Sequence, residues 1–361
     1  MYLIITRSFP PEIGGMQNLI GGLTKSLSKH YMIKVFADYH VDNVSYDDLA
    51  SFSIERIGGI KILRKYRKAH MINEFIKNNN NIKGVIADHW KSLELIKTNK
   101  KKICLIHSKE INHSKKTYLN NRALKILNNV DHVISNSEFT KKLAQEKGVN
   151  SEIITVINPG VDPLINIDKK ILNEAESLLK NNYPRLITIS RYDKRKNHEK
   201  IIMALRNLKQ IYPKIIYISI GDGEEEENIK KLASELDLNN QTIFLKGVGA
   251  DLKNALLSKS NVFVMPSIIH KKSVEGFGIA FVEAAQYGVP SIGGIDGGAS
   301  DAIENEKTGL ICNGNDLNDI YSSINKILEN KKYLEFGKNA KESSKNFLWE
   351  NIIKKYKKIL D

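Results

Sequence analysis

Cysteine is scarce in this chain. There are two in 361 residues, Cys104 and Cys312, each inside an apolar run (KKICLIH and GLICNG). Two such residues make no disulfide scaffold; they read as reduced core thiols, which fits a cytosolic compartment. Long apolar runs are missing too. No stretch approaches the roughly 18 residues that would cross a bilayer, and the opening MYLIITRSFPP reads as a first strand, not a signal peptide. There is no internal repeat, and the asparagine run at 78–81 is the one low-complexity block. G-x-G-x-x-G does not occur, which weakens a nicotinamide-type Rossmann reading. His89, His107 and His113 have no common zinc spacing, so no metal is expected.

The rest of the composition is globular, 41% hydrophobic and 27% charged. The length exceeds one ordinary core and fits two domains. The formal net charge of +14 is unevenly placed. Residues 1–165 hold 25 Lys and Arg against 15 Asp and Glu, a net of +10; residues 166–361 hold 30 against 26, a net of +4. A Lys- and Asn-rich background does not easily produce that asymmetry. An anionic partner of the first half does, and nucleic acid or an anionic lipid surface would serve.

The chain is organised around residues 264–298, VMPSIIHKKSVEGFGIAFVEAAQYGVPSIGGIDGG. A short apolar strand is closed by Pro266, and a polar loop then leads to Gly276, Phe277 and Gly278. Apolar spacing at Ile279, Val282 and Ala285 predicts a helix over 279–287, stopped by Gly288 and Pro290. This puts a loop and a helix start at the carboxyl end of a parallel strand, where open α/β sheets bind ligands. Free amides of the helix start suit phosphates, while Glu275 and Glu283, seven residues apart, can accept bonds from sugar hydroxyls. A solvated Glu275 and an ordinary surface Glu283 are the plain alternative.

EGFGIAFVEAAQYGVPSIGG resembles the E-x7-E signature of retaining glycosyltransferases of family 4, also called group 1. That resemblance implies the GT-B fold: α/β, with two Rossmann-like doubly wound domains facing a central cleft. The N-terminal, acceptor-binding domain would cover 1–165, with a last helix at about 346–361 crossing back onto it. The nucleotide-sugar domain would cover 166–345. The early turn PPEIGG, between a strand at 2–5 and a helix at 16–28, resembles the family's P-P-x-x-G-G loop, which implies that Gly14 and Gly15 lie against donor phosphate and acceptor. His107, after the strand at 103–106, is implied as a contact to the donor sugar. The resemblance singles out Arg191 and Lys196 in RYDKRKNH as the clamp on the donor diphosphate, leaving Lys194 and Arg195 solvated. Gly247 and Val248 are implied as base contacts, and Gly276, Phe277, Gly278, Ile279 and Glu283 as further donor contacts.

Residues 58–77 carry Lys61, Arg64, Lys65, Arg67 and Lys68 interleaved with Ile60, Ile62, Leu63 and Tyr66. A basic amphipathic segment of this kind can lie on an anionic membrane; a merely solvated surface helix is the plain alternative. The function expected is transfer of a hexose, glucose first, from a UDP-sugar, with GDP-mannose next, to a hydroxyl of a membrane lipid such as diacylglycerol or of a lipid-linked glycan. The α configuration would be kept, with no metal and no cofactor beyond the sugar nucleotide. A peripheral place on the inner face of the cell membrane follows. Rivals are a soluble or polysaccharide acceptor, a nucleotide-sugar epimerase, and a nucleic-acid-binding protein; for the last, no RNA or DNA motif is present.

Overall fold

Thirteen short strands, most of them largely apolar, build two all-parallel sheets. The structure, a computed structural model, describes all 361 residues. In the first sheet run β1 (Tyr2–Ile5), β2 (Ile33–Asp38), β3 (Ser53–Ile57), β4 (Gly84–Ala87), β5 (Lys101–Ile106), β6 (His132–Ser135) and β7 (Ile154–Val156). The second holds β8 (Arg185–Ile189), β9 (Ile216–Ile220), β10 (Thr242–Leu245), β11 (Val262–Met265), β12 (Ser291–Gly294) and β13 (Gly309–Cys312). Strands such as YLII and VFVM are buried at every position, as expected when helices cover both faces of a parallel sheet.

The orders are β3-β2-β1-β4-β5-β6-β7 and β10-β9-β8-β11-β12-β13. Each sheet is therefore wound outward in both directions, from β1 and β4 in one and from β8 and β11 in the other. Tyr2 pairs with Ile33 on one side and Gly84 on the other, and Leu186 pairs with Val262. Both halves are Rossmann-like, and in each the winding reverses at a point where such sheets bind ligands. Cys104 lies in the core of the first sheet with Leu3, Phe36 and Trp90, and Cys312 in that of the second with Val264 and Ile292; both are free thiols.

The first unit comprises Met1–Asp162 and Leu348–Asp361, the second Pro163–Phe347. These junctions lie a few residues from the expected 165/166 and 345/346. The reason is a local pairing: Val161 bridges to Leu348, and Trp349 N donates to Val161 O at 3.1 Å. The chain thus re-enters the first unit beside the residue at which it leaves.

The last helix, Trp349–Leu360, buries Trp349, Ile352, Ile353, Tyr356 and Leu360 and packs on the helix Gly15–Ser28. Its lysines stay on the other side, so one face makes all the apolar contact. The Trp349 indole lies against Gly22 and Gly160; a Cβ at either would sit 2.4 Å from it. Tyr2 Oη donates to Leu360 O at 2.5 Å and Lys101 Nζ to Ile359 O at 2.7 Å, satisfying carbonyls that a helix end leaves open. Trp349→Ala should cost about 3–5 kcal/mol by urea unfolding. A loss under about 1 kcal/mol would show that this helix does not anchor through its tryptophan.

Candidate functional site

In the second unit four segments meet at the carboxyl ends of β8, β11 and β13. β8 delivers residues 190–197, whose Lys194–Lys196 turn is capped by the Asp193 carboxylate on the Lys196 amide at 3.2 Å. β11 delivers Pro266 to Ile268, and Ile268 N donates to Arg195 O at 2.9 Å. Asn197, in the left-handed region at φ 63°, reaches across all of them. Its Nδ2 donates to Pro266 O at 3.0 Å and to Gly314 O, beyond β13, at 2.8 Å. The fourth segment is the loop carrying Glu275, held by Gly298 N donating to Glu275 O at 2.9 Å.

Beneath these loops lies a neutral polar network. His198 is buried; its Nε2 is 3.0 Å from Ser190 Oγ and its Nδ1 2.9 Å from Tyr217 Oη, which donates to Thr188 Oγ1 at 2.9 Å. Burial, and then the nearby Lys196 charge, hold the His198 pKa down to about 3. The ring is therefore uncharged at neutral pH and serves as a hydrogen-bonded strut under the cationic turn.

Three charges converge above it. Lys196 Nζ is in ion contact with Glu275 Oε2, and Arg195 Nη1 donates to the same oxygen at 2.6 Å. Glu275 is 13% exposed in its side chain, Lys196 11% and Arg195 10%. Burial would raise the Glu275 pKa, but Lys196 and then Arg195 outweigh it and hold the carboxyl down to about 2. Lys196 is shifted down from the usual lysine range by burial, against the pull of Glu275. Arg191 is different: its side chain is 71% exposed and bonds Asp193 through Nη2 at 3.2 Å.

Next to the triad, the helix Ile279–Gln286 starts at Gly278 with no side-chain cap. Gly278 has φ +88°, and an added Cβ would lie 2.5 Å from the Phe281 ring, so position 278 requires glycine. Glu283 stands one turn inside this helix, half-buried, 3.6 Å from Lys253 Nζ. Phe277 is buried against the Phe347 ring, so it presents backbone rather than ring to the loop surface. Gly247 and Val248 follow β10, Gly247 with φ +65° and open space around it.

The expected clamp of Arg191 and Lys196 is thus split between an open and a buried position. Arg195, expected to be solvated, is a correction: it is 8% exposed and paired with Glu275. Lys194 is the solvated member, 59% exposed in its side chain. Sequence reasoning also passed over Asn197 and His198. The only local signal for them was that both follow the cationic run directly.

In the first unit, Gly14 caps the helix Gly15–Ser28, with open space around Gly15. Beyond β1 and β4, Thr6 Oγ1 donates to Asp88 Oδ2 at 2.7 Å. His107 follows β5, and its amide donates to Glu110 Oε1 at 2.5 Å. Its Nε2 is a buried atom with no partner. Burial lowers the His107 pKa to about 4, offset in part by the Asp88 main chain. The imidazole is neutral at pH 7.

The basic segment forms the helix Lys61–Lys77, but its cations are not a free row, which corrects the expectation. Lys68 is buried, donating to Thr6 O at 2.6 Å and pairing with Asp38; Arg64 also pairs with Asp38, at 3.2 Å. Lys65 pairs with Glu94, which Arg122 Nη2 also binds at 2.6 Å. Arg67 donates to Gly58 O and Ile60 O. Lys61 is left exposed, and so are Ile60, Ile62, Leu63 and Tyr66 around it.

Two family models match the chain, one described as Glycosyltransferase Family 4 over residues 13–163 and one as Glycosyl transferases group 1 over residues 169–343. Among curated proteins, the chain is similar to a GDP-mannose-dependent alpha-(1-6)-phosphatidylinositol monomannoside mannosyltransferase of Mycolicibacterium smegmatis, 24% identical, covering 90% of this chain and 88% of the relative. It is also similar to a GDP-mannose-dependent monoacylated alpha-(1-6)-phosphatidylinositol monomannoside mannosyltransferase of Corynebacterium glutamicum, 24% identical over 91% and 88%. Among solved structures, Anabaena HepE in complex with UDP superposes with a TM-score of 0.83 at 18% identity, covering 99% of both chains.

Removing Glu275 would leave the buried Lys196 without its ion partner and Arg195 with only the more distant Asp193, at 3.7 Å. Glu275→Ala should therefore lose about 3–5 kcal/mol of unfolding free energy at pH 7. Because the Glu275 pKa is depressed on folding, its contribution is present above about pH 4.5 and is lost as pH falls toward 2. The difference between wild type and Glu275→Ala, read by urea unfolding, should shrink across that window. A difference that stays flat over it would contradict the ion triad.

Proposed function

Because the chain belongs to the group 1 glycosyltransferases of family 4, we propose that it moves a hexose from a nucleotide diphosphate sugar to a lipid hydroxyl with retention of the α configuration. The observation that carries the reading is the buried triad of Lys196, Arg195 and Glu275 beside an uncapped helix start, where the winding of the second sheet reverses. The Lys196 ammonium, the open Arg191 nearby in the chain and a row of free amides suit a diphosphate. An ionised carboxylate at the same place accepts bonds from sugar hydroxyls.

The depressed pKa of Glu275 bears on its role. A carboxyl held at about pH 2 carries no proton to donate at neutral pH, and with two cations on one oxygen it is a poor nucleophile and a poor base. Glu275 is therefore a binding group for the sugar. As the bond to the departing phosphate breaks, Lys196, Arg191 and the helix start at Ile279 stabilise the charge that develops there. The acceptor hydroxyl attacks from the same face and passes its proton to the departing phosphate. Glu283 binds the ribose, with Lys253 at its other side. In the first unit, neutral His107 offers Nε2 to a hydroxyl.

For the donor, GDP-mannose ranks ahead of UDP-glucose, because the relatives of Mycolicibacterium smegmatis and Corynebacterium glutamicum, matched over about nine-tenths of the chain, are named for GDP-mannose. Their acceptors, named as phosphatidylinositol mannosides, support a lipid. So does the exposed apolar end of the helix Lys61–Lys77, where Ile60, Ile62, Leu63 and Tyr66 surround Lys61. Insertion of apolar side chains assisted by a cation is the chemistry of an anionic bilayer surface. No helix of the chain is long and apolar enough to cross a membrane.

Isothermal titration with GDP and UDP tests the donor half. One of the two should bind, Lys196→Ala should weaken it at least about 10-fold, and a chelator should leave turnover unchanged. Binding of neither would overturn the reading. Co-sedimentation with vesicles containing phosphatidylglycerol tests the lipid half. Wild type should pellet, and Ile62→Asp with Leu63→Asp should fall at least about 10-fold, since each buried apolar side chain is worth about 1.5–3 kcal/mol. Equal pelleting of both proteins would point to a soluble acceptor.

A further inference from the structure

Glu275 carries two cations on a single oxygen, and only one of them is placed to do something else. Lys196 is a point charge on a flexible stem, and phosphate oxygens compete with Glu275 for its ammonium. Arg195 is fixed on several sides. Its carbonyl accepts from Ile268 N, its Nη2 lies 3.7 Å from Asp193, and its Nη1 is 2.6 Å from Glu275 Oε2. Its Nε is a buried donor with no partner, a polar atom of the sort that costs free energy unless something occupies it.

We propose that Arg195 is a positioning residue of the sugar site: it holds Glu275 in place for the sugar hydroxyls while Lys196 turns to the diphosphate. This rests on the nucleotide-sugar reading and deepens it. A phosphate reaching Lys196 takes one counter-charge from Glu275. Without a second, a buried carboxylate would have to move toward the departing ammonium or toward solvent. The guanidinium prevents both, because Nη1 stays on Oε2 while Nη2 is held toward Asp193, which fixes its direction as well as its charge. The two neighbouring cations thus divide the labour: Lys196 serves the phosphates and Arg195 serves the carboxylate that reads the sugar.

The division predicts a split that a purely structural arginine would not produce. In Arg195→Gln, affinity for the nucleoside diphosphate alone, by isothermal titration, should stay within about 3-fold of wild type, because Lys196 and the helix start remain. The extra affinity that the sugar nucleotide gains over the diphosphate should vanish. kcat/KM should fall at least about 10-fold, as expected for loss of one hydrogen bond to a charged group. Arg195→Lys should restore part of the loss, since it returns the charge without the fork. Thermal melts identify the variants that remain folded, and Arg195→Lys serves as the test should Arg195→Gln not fold. Unchanged kcat/KM and unchanged sugar affinity in the variants would overturn the proposal, as would an equal loss of diphosphate and sugar-nucleotide binding. Failure of wild type to bind any nucleoside diphosphate would instead overturn the donor reading itself.

Discussion

A buried carboxylate shared by two cations is the constraint around which the second unit is arranged. Glu275 comes from the loop after β11, Lys196 and Arg195 from the turn after β8, and neither partner is stable in place without the other. Their burial demands close geometry, because the interaction must offset the desolvation of three charges. The surroundings supply that geometry through neutral groups. Asn197 ties the turn to the ends of β11 and β13, and Gly298 fixes the main chain of Glu275. The uncharged His198 braces the turn from below.

The same arrangement gives the site its chemistry. Cations on a rigid turn, amides on an open helix start and a carboxylate that stays ionised are complementary to a diphosphate joined to a polyol. For the proposed transfer, catalytic power would come from preorganisation: charges and dipoles are set before the leaving group develops its own. In the first unit the corresponding sheet ends carry the uncharged His107 together with the buried Asp88 and Lys68, and the cations of its basic helix are spent largely on Asp38 and Glu94. What that helix exposes is mainly apolar, which changes the basis of the lipid reading from charge to insertion.

Much of this was legible in the sequence, for physical reasons. The signature stretch is local: strand, proline, glycine pair and helix all lie within about thirty-five residues, and each carries its own stop or start signal. The two-sheet fold follows from apolar runs separated by helical spacing, and Cys104 and Cys312 lie in such runs. Partners distant in the chain were not legible. Arg195 looks like its neighbour Lys194, and only the folded position of Glu275, eighty residues on, separates a buried ion from a solvated one. Lys68 and Arg64 were read as a free basic face because Asp38 lies at the end of a different strand. The seat for Trp349 depends on Gly22 and Gly160, which no periodicity connects.

The central claim is that a diphosphate occupies the place where Lys196 meets the open start of the helix Ile279–Gln286. A crystal of the protein grown with GDP or UDP tests it most directly. The account predicts phosphate oxygens within hydrogen-bond distance of Lys196 Nζ and of the Ile279 and Ala280 amides, with Glu275 still held by Arg195. A nucleotide found elsewhere on the molecule, with Lys196 still bound to Glu275, would contradict it.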